Sequence, residues 1–182
     1  IQEIERGAER SQKVDEILWL KQRLGYTHSA FAPGIEEGEW NYGVAIFCNA
    51  PGKITATRHK LFLAGEPGKY AEQRVVLEST MQIEGVPVRV YCTHLGLSQE
   101  ERKNQTADIL EIMNRSKGPA ILAGDFNAEP GTPEMKPLEE KMTDVLAALG
   151  ISREQRLSYP AGPGAKKAID GIFVSSDFEP VR

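Results

Sequence analysis

The apolar residues of this chain recur more often with the period of a strand than with that of a helix. Alternating apolar positions predict a long strand from Arg74 to Ile83 and a returning strand from Val86 to Thr93. Glu84-Gly85 between them is typical of a two-residue hairpin loop. Alternation continues one step beyond the second strand, so His94 is its last inward-facing residue and lies at the rim of the sheet.

Shorter apolar runs predict further strands at Ile1–Ile4, Tyr26–Phe31, Tyr42–Cys48, Ile54–Leu63, Pro119–Ala123 and Ala168–Ser175. Helical spacing predicts a helix from a Ser11 cap to Gly25, a helix from a Ser98 capping box to Arg115, and a short helix over Lys141–Leu149. The buried faces expected for the first two are Val14, Ile17, Leu18 and Leu24, and then Ala107, Leu110 and Met113. Glycine and proline predict a loop from Pro33 to Trp40 and a turn from Gly65 to Gly68.

This order of elements points to an α/β fold. The hairpins exclude a purely parallel sheet, and one open sheet of so many strands would tend to curl or split. Two mixed β-sheets packed face to face, with helices on the outer sides, satisfy both constraints and give a four-layer α/β sandwich. A chain of 182 residues is long enough for one stable core, so we expect residues 1–182 to form a single domain.

Composition indicates the class of protein but not its function. The apolar share of 40% and the charged share of 26% are ordinary for a soluble globular protein, and we expect a monomer. A net charge of −4 does not favour non-specific binding to nucleic acid. Cys48 and Cys92 both fall in predicted strands and are expected to be free thiols. No signal-like segment is visible, but the chain opens on Ile1 without a Met, so a leader could have been lost and the compartment stays open.

The candidate chemistry centres on Gly124-Asp125-Phe126-Asn127, which follows the apolar run Pro119–Ala123. Asp125 and Asn127 are two positions apart, where this strand ends and a loop rich in proline and glycine begins. Their side chains can therefore project toward one pocket. The alternative is an Asx turn, in which both residues only hydrogen-bond their own backbone.

Three more polar residues fall at predicted strand ends, and each has an ordinary structural alternative. Glu3 could be a solvated acid, and His94 could be a rim histidine with its hydrogen bonds satisfied. Asp170 is harder to dismiss, because an acid in the apolar strand Ala168–Ser175 would carry a desolvation cost of several kcal/mol unless it is paired.

Taken in order, these segments resemble the endonuclease/exonuclease/phosphatase superfamily, the group of deoxyribonuclease I. The segments that carry the resemblance are Ile1-Gln2-Glu3-Ile4, Tyr42-Gly43-Val44-Ala45-Ile46, Thr93-His94-Leu95, Gly124-Asp125-Phe126-Asn127 and Ile169-Asp170-Gly171-Ile172-Phe173. Each motif alone is weak, whereas the ordered set covers nearly the whole chain and is specific.

The resemblance implies a deoxyribonuclease I-like fold and hydrolysis of phosphoesters by in-line attack of water, assisted by Mg²⁺ or Mn²⁺. Glu3 matches the family's metal-binding glutamate. Asp125 matches the acid that orients and deprotonates the water, and Asn127 matches the amide that holds it and the phosphate. His94 matches a histidine that donates to a phosphoryl oxygen. Asp170 matches the acid that partners a histidine near the family's C-terminal end.

Two further residues are candidates by position. A histidine in the role of His94 needs a carboxylate behind it to fix its tautomer, and Glu72 is our candidate, although it could equally be a surface acid beside a turn. Arg74 shares parity with Glu72 and could contact the substrate's phosphate or simply pair with an acid.

Departures from the family pattern predict a fragment. The family has an earlier strand ending in an Asn and a later Ser-Asp-His motif, and Ser175-Ser176-Asp177-Phe178 is not that motif. Val44 stands where many relatives carry Asn. We therefore expect a chain truncated at both ends that has little or no hydrolase activity by itself.

Other functions and the substrate stay open at this stage. A catalytically silent binding module on the same scaffold is the main alternative, and a plain structural fold with polar strand ends is another. Arg58-His59-Lys60 and Lys166-Lys167 are the compact basic spots, and each is typical of a solvated face. An acidic loop carrying Trp40 and Tyr42 would repel a polyanion, which favours a small phosphoester or a lipid headgroup over duplex DNA.

Overall fold

A computed structural model describes residues 1–52, 54–65 and 71–181. The strands are β1 (Ile4–Arg6), β2 (His28–Glu37), β3 (Trp40–Cys48), β4 (Thr55–Lys60), β5 (Val75–Ile83), β6 (Val86–His94), β7 (Ala120–Asp125), β8 (Thr143–Asp144) and β9 (Asp170–Val174). The helices are α1 (Glu16–Arg23), α2 (Gln99–Asn114), α3 (Lys136–Glu139) and α4 (Val145–Ala148), with single 3-10 turns at Glu9–Ser11 and Arg153–Gln155. Most of the turn predicted from Gly65 to Gly68 lies outside the described residues.

The described strands form two sheets. The smaller sheet has the order β1-β3-β2 and is antiparallel, and the larger has the order β4-β5-β6-β7-β9-β8. In the larger sheet β6 and β7 are parallel, while the other neighbouring pairs are antiparallel. α2 provides the crossover that a parallel β6–β7 pair requires.

Apolar packing places the two sheets face to face with helices outside. Between the sheets, Ala32 and Val44 of the small sheet pack with Val75, Leu77 and Cys92 of the large one. On the outer face of the large sheet, Ile109 and Ile112 of α2 join the largest cluster, and on the outer face of the small sheet Ile17 of α1 packs on Ile4 and Ala45. The four-layer α/β sandwich predicted from the sequence is confirmed.

Local signals explain several element ends. Ser98 caps α2 as predicted by accepting the Glu101 backbone N–H at 3.1 Å, but the Glu101 carboxylate accepts the Ser98 hydroxyl and not the Ser98 backbone N–H, so the cap forms without the reciprocal bond of a capping box. Glu84 and Gly85 have φ of 52° and 83°, as a tight turn matched to the twist of β5 and β6 demands.

The first helix and the Pro33 to Trp40 loop were placed wrongly. Asp15, not Ser11, caps α1, accepting the Leu18 backbone N–H at 2.9 Å. The expected apolar face of α1 is mostly solvent-exposed, and only Ile17 of that set is buried. β2 runs on through Pro33 to Glu37 with a bulge between Pro33 and Ile35. A proline is tolerated there because β2 is an edge strand.

Two further helical predictions need correction. The buried residues of α2 include Gln105, Ile109 and Ile112, and Ala107 is exposed. Leu110 and Met113 of the predicted stripe are partly buried and pack against the largest core cluster, so the stripe was only partly misplaced. The predicted helix Lys141–Leu149 divides, because Thr143 and Asp144 pair with β9 as strand β8 and Asp144 then caps the single turn α4.

Cys92 is buried and Cys48 is partly buried, both as free thiols, as expected. Within the described ranges, the model contains no helix with the length and apolar character that crossing a bilayer requires.

Gly124 of β7 lies directly against Thr93 of β6, and this close contact yields a stability prediction. A Cβ at Gly124 would overlap the Thr93 carbonyl oxygen and come within 2.9 Å of its Cγ2. Gly124→Ala is therefore expected to lower the free energy of unfolding by about 1–3 kcal/mol through overpacking. Urea denaturation followed by circular dichroism measures this loss.

Gly164→Ala is the matched control, because a Cβ there meets open space. Its stability should stay within about 0.5 kcal/mol of the parent chain. An unchanged unfolding midpoint for Gly124→Ala would contradict the close approach of β6 and β7.

Candidate active site

Three neighbouring strands bring the central polar residues to one edge of the large sheet. His94, the last residue of β6, is in register with Asp125, the last residue of β7. Asp125 is in turn in register with Asp170, the first residue of β9. Because register is fixed along each ladder, these three residues occupy adjacent positions at the same edge, as the sequence predicted for acids and a histidine at strand ends.

Glu3 lies in a bulge that the sequence did not predict. Ile1 exchanges backbone hydrogen bonds with Ala45, whereas Ile4 is in register with Gly43. Over this interval the first strand therefore contains one residue more than the paired segment of β3, and Glu3 has a positive φ of 56°. A bulge of this kind re-aims a side chain, and here the exposed side chain that it re-aims is that of Glu3.

The loop after β7 forms the Asx turn that was the ordinary alternative for Asp125 and Asn127. The Asn127 backbone N–H donates to Oδ1 of Asp125 at 2.8 Å, and Asn127 has a φ of 48°. The Asn127 side-chain amide donates to the Leu95 carbonyl at 2.9 Å. The turn does not use Oδ2 of Asp125, which lies 3.6 Å from Nε2 of His94. The Asx turn therefore holds the carboxylate in place while one oxygen faces the histidine.

His94 is buried and contacts Arg74. Nη1 of Arg74 lies 3.2 Å from Nδ1 of His94, and Nη2 of Arg74 lies 2.6 Å from the Glu72 carboxylate. Burial, with the Arg74 charge beside the ring, lowers the pKa of His94 to about 4. His94 is therefore neutral at pH 7 and does not form an ion pair with Asp125.

The expectation that Glu72 backs His94 is corrected by these contacts. Glu72 binds the guanidinium of Arg74, and it is Arg74 that contacts the imidazole. The sequence showed that Glu72 and Arg74 share parity, but parity does not say which of two long side chains reaches across to the next strand.

Asp125 is a weakened acid. Burial raises its pKa to about 6, and the negative charges of Asp170 and Glu3 act in the same direction. The Asn127 backbone N–H and the charge of Arg74 oppose this rise without cancelling it. The charges of Asp170 and Glu3 therefore both act on Asp125 at the edge of the two sheets.

The environment of Asp170 differs from the one expected. Asp170 is solvent-exposed at the start of β9 and is not enclosed in an apolar strand, so it carries no large desolvation cost. The backbone N–H groups of Ile169 and Asp170 lie 3.3 and 3.4 Å from the Ser158 hydroxyl. Asp170 lies with Ile172 on the exposed side of β9, while the flanking Ala168 and Ile169 are buried, so apolar neighbours in sequence did not imply burial.

Tyr42 was missed as a site residue. It lines a small cavity together with Glu72, Arg74 and His94. Burial and the nearby charges of Glu3 and Glu72 raise the pKa of Tyr42 well above its usual value. Its parity with Val44, which faces the other sheet, was the signal in the sequence that could have placed Tyr42 on this side of β3.

The carboxylate and histidine side chains at this edge meet only part of the requirement of a hard metal cation for ligands. Among the residues that the structure describes, no three His, Cys, Asp or Glu side chains come close enough together to enclose a metal ion. Mg²⁺ commonly keeps several waters and binds through one or two carboxylates. The exposed carboxylate of Glu3, coupled electrostatically to Asp125, fits that more modest requirement.

Comparisons with known proteins agree with the fold and its order of motifs. The model of the Endonuclease/Exonuclease/phosphatase family matches residues 1–182. No curated protein matches the sequence.

Solved structures share the fold at low identity. An endonuclease/exonuclease/phosphatase from Beutenbergia cavernae has a TM-score of 0.69 and 20% identity, over 100% of this chain and 55% of that one. The human nocturnin catalytic domain with a bound sulfate anion has a TM-score of 0.61 and 23% identity, over 89% of this chain and 65% of that one. A family protein from Leptotrichia buccalis has a TM-score of 0.69 and 19% identity, over 98% of this chain and 74% of that one. The chain thus spans less than two thirds of the length of the first two structures.

Coupling between Asp125 and Asp170 gives a prediction about titration. Asp170→Asn removes a negative charge that raises the pKa of Asp125, so that pKa should fall below about 6. Carbon-13 NMR of the Asp125 carboxyl carbon during a pH titration measures it. Asp177→Asn, an exposed acid that does not perturb Asp125, is the control and should leave the titration unchanged. A pKa that stays at the parent value in Asp170→Asn would contradict the coupling.

Proposed function

The chain belongs to the endonuclease/exonuclease/phosphatase family, and on that premise we propose that it is a metal-dependent phosphoester hydrolase. The activities that give the family its name all cleave phosphoester bonds. The observation that carries the proposal is the pairing of Asp125, whose pKa is raised to about 6, with a neutral His94 at the same sheet edge. A general base works best when its pKa lies near the working pH.

Asp125 is the proposed general base. Its Oδ2 is not used by the Asx turn, and an attacking water placed there would pass a proton to it as the water oxygen bonds to phosphorus. The bond from phosphorus to the leaving-group oxygen breaks in the same displacement. Burial raises the pKa of Asp125, and the charge of Asp170 adds to that rise, so we propose that Asp170 helps to keep Asp125 basic.

His94 is the proposed donor to the phosphoryl group. Its Nε2 lies 3.6 Å from Oδ2 of Asp125, which is longer than a direct hydrogen bond. An N–H at Nε2 is therefore available to a phosphoryl oxygen as negative charge builds there. Asn127 contributes by fixing the loop, and its side-chain oxygen remains to orient the water or the phosphate.

Glu3 is the residue proposed to hold Mg²⁺ or Mn²⁺. The metal supplies neutralisation of charge on the phosphoryl and leaving-group oxygens when it is bound. Glu3 is exposed and re-aimed by a bulge, and its charge already reaches Asp125 and Tyr42.

For the substrate we propose a small phosphoester or a lipid headgroup over duplex DNA. Trp40 lies 6.3 Å from Tyr42 between ring centroids, so an aromatic surface continues outward from the site. That surface borders an open cavity of about 560 Å³ whose charged lining has three acids, Glu9, Glu37 and Glu39, against Arg10 and Lys13. Lys13 pairs with Glu9 and Glu39, so this lining offers an extended polyanion no excess of positive charge.

A silent binding module on the same scaffold remains the second candidate. Val44 is buried and lines the cavity beside His94 and Arg74. An apolar side chain at that wall cannot contact a phosphate, which would weaken catalysis without preventing binding.

Loss of the base tests the enzyme proposal. Asp125→Asn is expected to lower kcat by about 10²–10⁴-fold, because the water loses its proton acceptor. The assay follows phosphoester hydrolysis with Mg²⁺ in the longest natural form of the protein, over bis-p-nitrophenyl phosphate, inositol phosphates, sphingomyelin and abasic DNA. Asp177→Asn is the control and should keep the parent rate. Parent protein that hydrolyses none of these substrates, or Asp125→Asn at the parent rate, would contradict the proposal.

Metal binding is tested separately from turnover. Mg²⁺ or Mn²⁺ titrated by calorimetry should give a binding isotherm that Glu3→Gln weakens at least tenfold, because an amide is a much poorer ligand than a carboxylate. Glu140→Gln, which alters an exposed acid beside α3, should bind as the parent does. Equal affinity in Glu3→Gln would remove Glu3 from the metal site.

A further inference from the structure

Arg74 lies between an acid and the histidine of the candidate site, and this arrangement carries an inference that rests on the proposed function. We propose that Arg74 is a positioning residue, which holds His94 in the neutral tautomer with its proton on Nε2, directed to the side of Asp125. In this role Arg74 acts through His94 and does not contact the substrate.

The contacts of Arg74 leave it little freedom. Its side chain is buried, Nη2 lies 2.6 Å from Glu72, and Nη1 lies 3.2 Å from Nδ1 of His94. Arg74 immediately precedes β5, where Val75 accepts the Thr93 hydroxyl through its carbonyl at 3.0 Å. The guanidinium is therefore anchored both through its backbone neighbours and through the Glu72 carboxylate.

The tautomer follows from the chemistry of the two groups. A guanidinium has only N–H donors and stays protonated in proteins. Nδ1 of His94 must then accept the hydrogen bond from Arg74, which leaves the ring proton on Nε2. Nε2 is the nitrogen that lies 3.6 Å from Oδ2 of Asp125, so the proton points to the place where a phosphoryl group would bind.

An arginine at Nδ1 has the opposite electrostatic effect from a carboxylate there. A carboxylate would stabilise the imidazolium, whereas the positive charge of Arg74 disfavours it. His94 accordingly remains a neutral hydrogen-bond donor and cannot serve as a cationic acid at neutral pH. The burial of Arg74, to 7% exposure, also argues against the direct phosphate contact that its sequence position first suggested.

Glu72 has a secondary part in this arrangement. Its carboxylate is more exposed than Arg74 and binds the guanidinium end that does not contact His94. Nε of Arg74 has no hydrogen-bond partner in the described part of the chain. Removing Glu72 would therefore leave Arg74 held by its contact with His94 and by packing, with a partial loss of order.

Nitrogen-15 NMR of the imidazole rings tests the inference directly. The chain has three histidines, so His94→Gln identifies the signals of His94. In the parent chain His94 should show an unprotonated Nδ1 and a protonated Nε2. Arg74→Met, which keeps the length but removes the donors, should give a mixture of both tautomers, while Arg74→Lys should keep the proton largely on Nε2.

Arg58→Met is the matched control, because Arg58 is an arginine of the neighbouring β4 strand that pairs with Glu36. Its His94 signals should match those of the parent. If Arg74→Met fails to fold, Glu72→Gln provides the second variant, with a smaller shift in the same direction. A parent His94 protonated on Nδ1, or an unchanged tautomer in folded Arg74→Met, would overturn the inference.

Turnover separates positioning from substrate binding. In the longest natural form of the protein, Arg74→Met should lower kcat roughly 10–100-fold with little change in KM, as expected for a group that orients another. A rise in KM at constant kcat would instead make Arg74 a substrate ligand. Absence of hydrolysis in the parent would count against the proposed function alone, since the tautomer is measured without substrate.

Discussion

The register of the three central strands β6, β7 and β9 is the constraint on which the candidate site depends. One ladder aligns His94 with Asp125, and the next aligns Asp125 with Asp170. A slip by one residue in either pair would turn one of these side chains to the opposite face of the sheet. Close approach of β7 to β6 at Gly124 helps to exclude such a slip, because only a residue without a Cβ fits against Thr93.

Electrostatics at the sheet edge follows from that alignment. Burial, helped by the neighbouring acids Asp170 and Glu3, weakens the acidity of Asp125, and burial with the charge of Arg74 beside the ring keeps His94 neutral. The two effects are complementary, because a carboxylate that readily accepts a proton lies beside a neutral imidazole that retains its single ring proton. The contributions of the neighbouring charges depend on this closeness, since charges that are exposed and distant are screened by water and salt.

Prediction from sequence succeeded where a signal is local. The hairpin at Glu84-Gly85 and the helix cap at Ser98 depend on residues that are close in the chain, and both are present. Prediction failed where packing against other parts of the chain determines which residues are buried and where an element ends. In α1, packing on the small sheet selected the face of Ile17 and Leu20, which leaves Leu18 exposed, and Pro33 did not end β2 because that strand lies at an edge.

Sequence alone determined the two-sheet sandwich, the family resemblance and the identity of the polar residues at strand ends, because period, turn chemistry and motif order are all properties of the linear chain. Tertiary structure alone decided that Arg74, not Glu72, contacts His94, that Tyr42 joins the site, and that Asp170 is exposed. The physical reason is that side-chain partners and solvent exposure arise from neighbouring strands and sheets, whose distances and burial no single segment of sequence encodes.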